Sequence, residues 1–167
     1  MEKKDQNLEM QQVDMYVLFA RMFAHIAREV EEACGEEGIK AVREGVRQFG
    51  LERGRDIANR ARLMGHEITP EFYLSCYDMG RSDYFTSEDS VSPDLVEQNF
   101  TDCVFANTWE KDGTQKYGIH YCQMIDPAIA EGYHKDFECI HDKHFFTDGC
   151  CHFCFRMREE TKESEGE

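Results

Sequence analysis

No apolar run in this chain approaches the roughly 20 residues that a membrane-spanning helix needs. The start, Met1-Glu-Lys-Lys, leads into polar residues and lacks the apolar core of a secretory signal. Both absences point to the cytoplasm, where thiols stay reduced. The eight cysteines then read as free thiols, metal ligands or catalytic groups, and not as a disulfide framework. Positive charge is also scarce: 19 Lys and Arg stand against 34 Asp and Glu, a formal net charge of −15. That balance argues against nucleic acid or an anionic membrane surface as partner. It leaves room for a small anionic substrate, because one local arginine can dominate a pocket. No internal repeat divides the chain.

Its 167 residues, 41% of them hydrophobic and 12% aromatic, suffice for one packed domain. We expect that domain to span residues 1–157, with an acidic, disordered tail at 158–167. Within it, soft and imidazole ligands crowd into Gly118 to Phe155, which holds five of the eight cysteines and five of the seven histidines. A structural domain does not need such a concentration, whereas nucleophilic or metal-assisted chemistry does. Taken singly, each of these cysteines is equally at home as a small buried apolar residue.

The first half reads as helical. Met15, Leu18, Phe19, Met22, Ile26 and Val30 fall at helical spacing in a helix from about Leu8 to Ala33, which Gly35 stops. A second helix follows to about Met64, with an apolar stripe through Ile39, Val42, Val46, Phe49, Ile57, Ala61 and Met64. Arg53 falls on that stripe, four residues from both Phe49 and Ile57. A charge on a core-facing line needs a partner, so Arg53 is either half of a structural ion pair or a guanidinium kept for a substrate carboxylate. Gly38, Gly45, Gly50 and Gly54 suit close approach by another element and a tight helical hairpin.

Thr69-Pro70 opens a short helix, and Gly80 to Pro93 reads as a polar loop. The second half reads as strand-like from Leu95 to Ala106, then helical from Tyr117 to Glu131 with a kink or a start at Pro127. Two antiparallel strands follow, Phe137 to Phe146 and Cys150 to Met157, joined by a turn at Thr147-Asp148-Gly149. The expected fold is α+β: a long N-terminal helical hairpin packed with a small antiparallel sheet and further helices.

Alternation in the last strand sends Cys151, Phe153, Phe155 and Met157 to the core and Cys150, His152, Cys154 and Arg156 outward. Cys122 and Asp126, four apart, share a helical face. His141 and His144 should point to opposite faces of their strand. His25, in the first helix, reads as a satisfied core histidine. Cys103 precedes a segment marked by Trp109 and Gly113. A thiol and a carboxylate on one face, with another buried thiol opposite, suit a hydrolytic or a metal site.

These segments carry a likeness. LFARMFAHIA, AVREGVRQFGLERGRDIA around Arg53-Gly54, Cys103 with Trp109, YCQMIDPAIAEGY with Cys122 and Asp126, and the closing DGCCHFCF occur in that order. Over roughly residues 15 to 157 the chain resembles the L-2-amino-thiazoline-4-carboxylic acid hydrolase family. It departs from the family pattern at His134-Lys135, where Asn-Pro is frequent, and at Thr147-Asp148, where Gly-Asp is frequent. The resemblance implies a hydrolase of a small cyclic amidine-like, carboxylate-bearing compound, acting by water addition at the C=N carbon. On that reading Cys122 is nucleophile or metal ligand, Asp126 orients or deprotonates, and Arg53 and Trp109 bind substrate. His120 and His152 are alternates for acid–base work. Cys103 and Cys151 either join Cys122 around one zinc or iron ion or line the pocket as thiols. More distantly, the spaced cysteines and final strand pair resemble the 4-vinyl reductase domain, which implies the alternative of a non-catalytic small-molecule or metal sensor or carrier. Apolar faces on two long helices would also support a homodimer.

Overall fold

A computed structural model of the chain describes residues 12–79 and 84–158. The element order is α1 (Met15–Leu63), α2 (Pro70–Tyr73), β1 (Phe85–Val91), β2 (Leu95–Cys103), α3 (Val104–Lys111), α4 (Gln115–Tyr133), β3 (Phe137–Lys143), α5 (Phe145–Asp148) and β4 (Cys151–Met157). The four strands form one antiparallel sheet in the order β1-β2-β4-β3, and the helices pack on one face of it. The architecture is α+β. The expected tail from residue 159 and the proposed start of the first helix before residue 12 lie outside the described residues, as do residues 80–83.

Helix α1 begins where Asp14 caps it, its carboxylate accepting from the Tyr16 amide at 2.7 Å. Its two arms meet at Gly35, whose φ of 61° and ψ of −145° are non-helical and open only to glycine at low cost. The arms then run past α4 in opposite directions. Glu31 pairs with Lys116 and Phe23 packs on Tyr121, whereas Arg43 reaches Gln123 and Arg47 reaches Glu131 further on. This is the expected hairpin, with its corner at Gly35.

The stripe expected on the first arm is corrected. Met15, Leu18, Met22 and Ile26 are exposed, and Ala20, Ala24 and Ala27 are buried with Phe19 and Phe23 beside them. The small residues win the inner face because α3 and α4 come close: the Trp109 indole donates to the Ala20 carbonyl at 2.8 Å. His25, too, is exposed, its ring beside the Arg28 guanidinium. On the second arm Ile39, Val46, Ile57 and Ala61 are buried as expected, while Phe49 and Met64 are exposed.

Glycine governs the contact between that arm and α4. A Cβ on Gly54 would press into the Ile129 carbonyl and the Tyr133 amide, and Gly132 on α4 faces Leu51 with the same lack of space. Helix α4 runs through Pro127 and does not begin there. The expected loop Gly80 to Pro93 holds strand β1, an edge strand whose polar sequence FTSEDSV conceals its alternation. The expected turn between the last strands contains the short helix α5, closed by Gly149 at φ 70°.

Candidate active site

The sheet's inner face, α4, the second arm of α1 and the segment after α2 enclose a cavity of about 390 Å³. Every element contributes by its periodicity. From β4 come Cys151 and Phe153, the buried alternate positions; Tyr121, Cys122, Ile125 and Asp126 come from one face of α4. Arg53 enters from α1, Leu74 and Tyr77 follow α2, and Gln98, Phe100 and Cys103 come from β2.

Arg53 is 9% exposed and donates through Nε and Nη2 to the two Asp78 oxygens at 2.7 and 2.6 Å. Both partners are largely buried. Burial is the largest single influence and would lower the Arg53 pKa, but the hydrogen bonds to Asp78 together with the charges of Asp78, Tyr77 and Tyr121 outweigh it, and the guanidinium is held charged. Burial likewise works to raise Asp78, and Arg53 overrides it, so that carboxylate titrates below its usual range. The Tyr77 ring lies 5.4 Å from the guanidinium carbon. Arg53 is thus half of an ion pair. Its remaining nitrogen, Nη1, makes no hydrogen bond among the described residues, on a wall of the cavity.

Asp126 behaves differently. Burial pushes its carboxyl up to about 6, against the opposing pull of Arg53, so it exchanges protons near neutrality. Cys122, one turn earlier, is pushed well above the ordinary thiol range by burial, then by Cys103, Cys151 and Asp126. Cys151 rises to about 12 by burial, and Cys103 rises for the same reason. All three are neutral thiols at physiological pH.

Cys103, Cys122 and Cys151 therefore share a cavity, as the sequence suggested. Among the described residues, however, no three His, Cys, Asp or Glu side chains stand close enough together to hold a metal ion. The Cys151-x-x-Cys154 spacing, a ligand pair when it sits in a turn, lies here in a strand. Cys151 points inward, and Cys154, three residues on, does not line the cavity. Among the described residues the donor set does not fit a resident metal.

Of the other sequence candidates, the structure gathers few. Trp109 is fully buried in the core, pressed against Gly118, and does not line the cavity. His120 lies on another face of α4, beside Arg43, and burial lowers its pKa. His152 is on the outer face of β4, its Nδ1 2.6 Å from the Asp142 carboxylate. Neither histidine reaches the cavity.

His141 does reach it. The expectation that His141 and His144 diverge is overturned: the strand shifts register between His141 and Lys143, His144 lies beyond its end as the cap of α5, and the two rings lie 3.8 Å apart. The His141 ring stacks on Phe153, its nitrogens are buried, and burial lowers its pKa to about 4. It is a neutral wall. Sequence reasoning also passed over Asp78, Tyr77 and Tyr121. An arginine on an apolar stripe signals that a partner exists, but spacing does not say which of 34 acidic residues supplies it.

A ring- and thiol-lined cavity holding one proton-exchanging carboxyl and one fixed cation can bind a small zwitterion and move a proton on it. Searches of the curated proteins and of the solved structures returned no match to the chain. The comparison with protein families did, over residues 15–155, a span that includes every described residue lining the cavity. The chain belongs to the L-2-amino-thiazoline-4-carboxylic acid hydrolase family.

Proposed function

We propose that this protein is a hydrolase that opens a small cyclic amidine bearing a carboxylate, such as 2-amino-thiazoline-4-carboxylate, by adding water at the C=N carbon. The observation that carries this reading is the presence in one cavity of a carboxyl titrating at about 6 and a guanidinium held charged. A cyclic amidine with a carboxylate is a zwitterion of matching pattern. Its amidinium N–H groups suit Asp126, and its carboxylate suits the Nη1 corner of Arg53, whose other nitrogens Asp78 holds in place.

Above pH 6 Asp126 is a carboxylate and accepts a proton from a water poised on the amidine carbon. The water oxygen bonds to that carbon, and the bond from the carbon to a ring heteroatom breaks. Protonated Asp126 returns its proton to the leaving heteroatom, and the second water proton is released to solvent as the carbonyl forms, because the amidinium nitrogen already carries its own. One water is consumed and Asp126 ends as it began. Burial keeps the Cys122 thiol protonated, so in this reading water is the nucleophile and Cys122 a soft, neutral wall beside the ring.

The test is direct. Purified protein is incubated with 2-amino-thiazoline-4-carboxylate, ring-opened product is followed by mass spectrometry, and binding is measured by calorimetry. Asp126→Asn should weaken binding, since the amidinium loses its charged partner, and should lower turnover at saturating substrate by about 10²–10⁴-fold. Binding by the unaltered protein with no product would end the hydrolase reading in favour of a carrier or sensor.

A further inference from the structure

The cavity has more room, and more aromatic surface, than the smallest compound of this class can use. At about 390 Å³ it falls in the roughly 300–1,000 Å³ range of clefts that enclose drug-sized ligands. A single five-membered ring with an amine and a carboxylate leaves a large share of that space empty. The lining is mostly apolar, with Thr86, Ser87, Gln98 and His141 set among the rings. Those rings are Phe85, Phe100, Phe105, Phe153, Tyr121 and Tyr77.

The two kinds of lining come from two sides. The charged groups enter from the helical side: Arg53 from α1, held by Asp78 behind it, and Asp126 from α4. The four phenylalanines come from β1, β2, β4 and the start of α3. Phe85 pairs opposite Cys103 and Phe100 opposite Cys151, which gathers these rings at one end of the sheet. They meet edge to face, Phe85 with Phe105 at 5.5 Å and Phe100 with Phe153 at 5.7 Å. A ligand whose charged end meets Arg53 and Asp126 would therefore turn its far end toward phenylalanine rings and the neutral thiols of Cys103 and Cys151.

We propose that the substrate of this cavity carries an aromatic group on its amidine ring, which fills the space between the sheet phenylalanines while the charged end meets Arg53 and Asp126. The inference rests on the hydrolase reading for the orientation of the charged end, and on the cavity's own lining for the aromatic group. Burying a phenyl group in such a wall strengthens binding by roughly 30- to 100-fold.

The experiment compares 2-amino-thiazoline-4-carboxylate with its 5-phenyl derivative, binding by calorimetry and turnover by mass spectrometry, on the full chain and on Ser87→Phe. Ser87 lines the cavity on β1, and a phenyl side chain there occupies part of the same space. The expected result is tighter binding of the phenyl compound by at least about 30-fold, most of that advantage lost in Ser87→Phe, and little change for the small compound. Equal or weaker binding of the phenyl compound, with the small one bound and opened, would overturn the aromatic-substrate inference and leave the hydrolase reading intact. Tighter binding of the phenyl compound with neither compound opened would uphold the aromatic site and overturn the hydrolase reading. Binding of neither compound would overturn both.

Discussion

Two carboxylates beside one arginine have been driven in opposite directions, and the proposed mechanism rests on that divergence. Asp78, hydrogen-bonded to Arg53, titrates low and stays charged; Asp126, half-buried and with no such bond among the described residues, titrates at about 6. Their effects on stability have opposite signs. A carboxyl raised from ~3.9 to about 6 stabilises the fold below pH ~4 and loses that contribution as pH rises through 6. Asp126→Asn should therefore gain about 2 kcal/mol over the unaltered protein at pH 8 and nothing at pH 4, with water in the cavity moderating the gain. Asp78 contributes above ~3.9 and loses its contribution as pH falls through its lowered value. Asp78→Asn should cost about 3 kcal/mol at neutral pH, because it leaves Arg53 buried and unpaired. Urea denaturation at two pH values for each variant checks both signs. At this scale the sequence was partly legible. Arg53 stood out as a charge on an apolar line, and Cys122 with Asp126 as a shared helical face. Asp78 and His141 did not, since ion-pair partners and strand irregularities arise from tertiary contacts that spacing does not encode.

Among the elements, the pairing of α1 with α4 is what holds Arg53 and Asp126 across one cavity. It depends on glycine at the crossing: Gly54 sits one residue after Arg53 and meets the backbone of Ile129 and Tyr133. Gly54→Ala must push the helices apart, at about 1–3 kcal/mol or more, and it should displace Arg53 from Asp78 as well. Gly45, on the same helix but with open space around it, should accept alanine without loss. Thermal denaturation of the two variants side by side distinguishes a packing glycine from an incidental one. The four glycines were visible as an anomaly in a helix, but not which of them the crossing uses. The strands followed a similar rule. β4 was legible because its inward face is apolar at every second position, whereas β1, at the sheet edge, alternates between polar residues and reads as a loop.

For the molecule as a whole, the family and the α+β architecture followed from residues spread along the chain, and the hairpin from Gly35. The inward face of the first helical arm did not, because alanines, not the larger residues, form the closest contact. No helix among the described residues is long and apolar enough to cross a membrane. What unites the fold is that helices and sheet close around a cavity with charge on one side and rings on the other. The central claim is that Asp126, tuned by that enclosure, handles the proton of the attacking water. The measurement that tests it most directly is kcat/KM against pH for opening of 2-amino-thiazoline-4-carboxylate, which reports the groups of the free enzyme. The account predicts an acidic limb with its midpoint near 6, rising as Asp126 loses its proton, and absent from the residual activity of Asp126→Asn. A rate that stays flat from pH 4 to 8, or the same limb in Asp126→Asn, would contradict it.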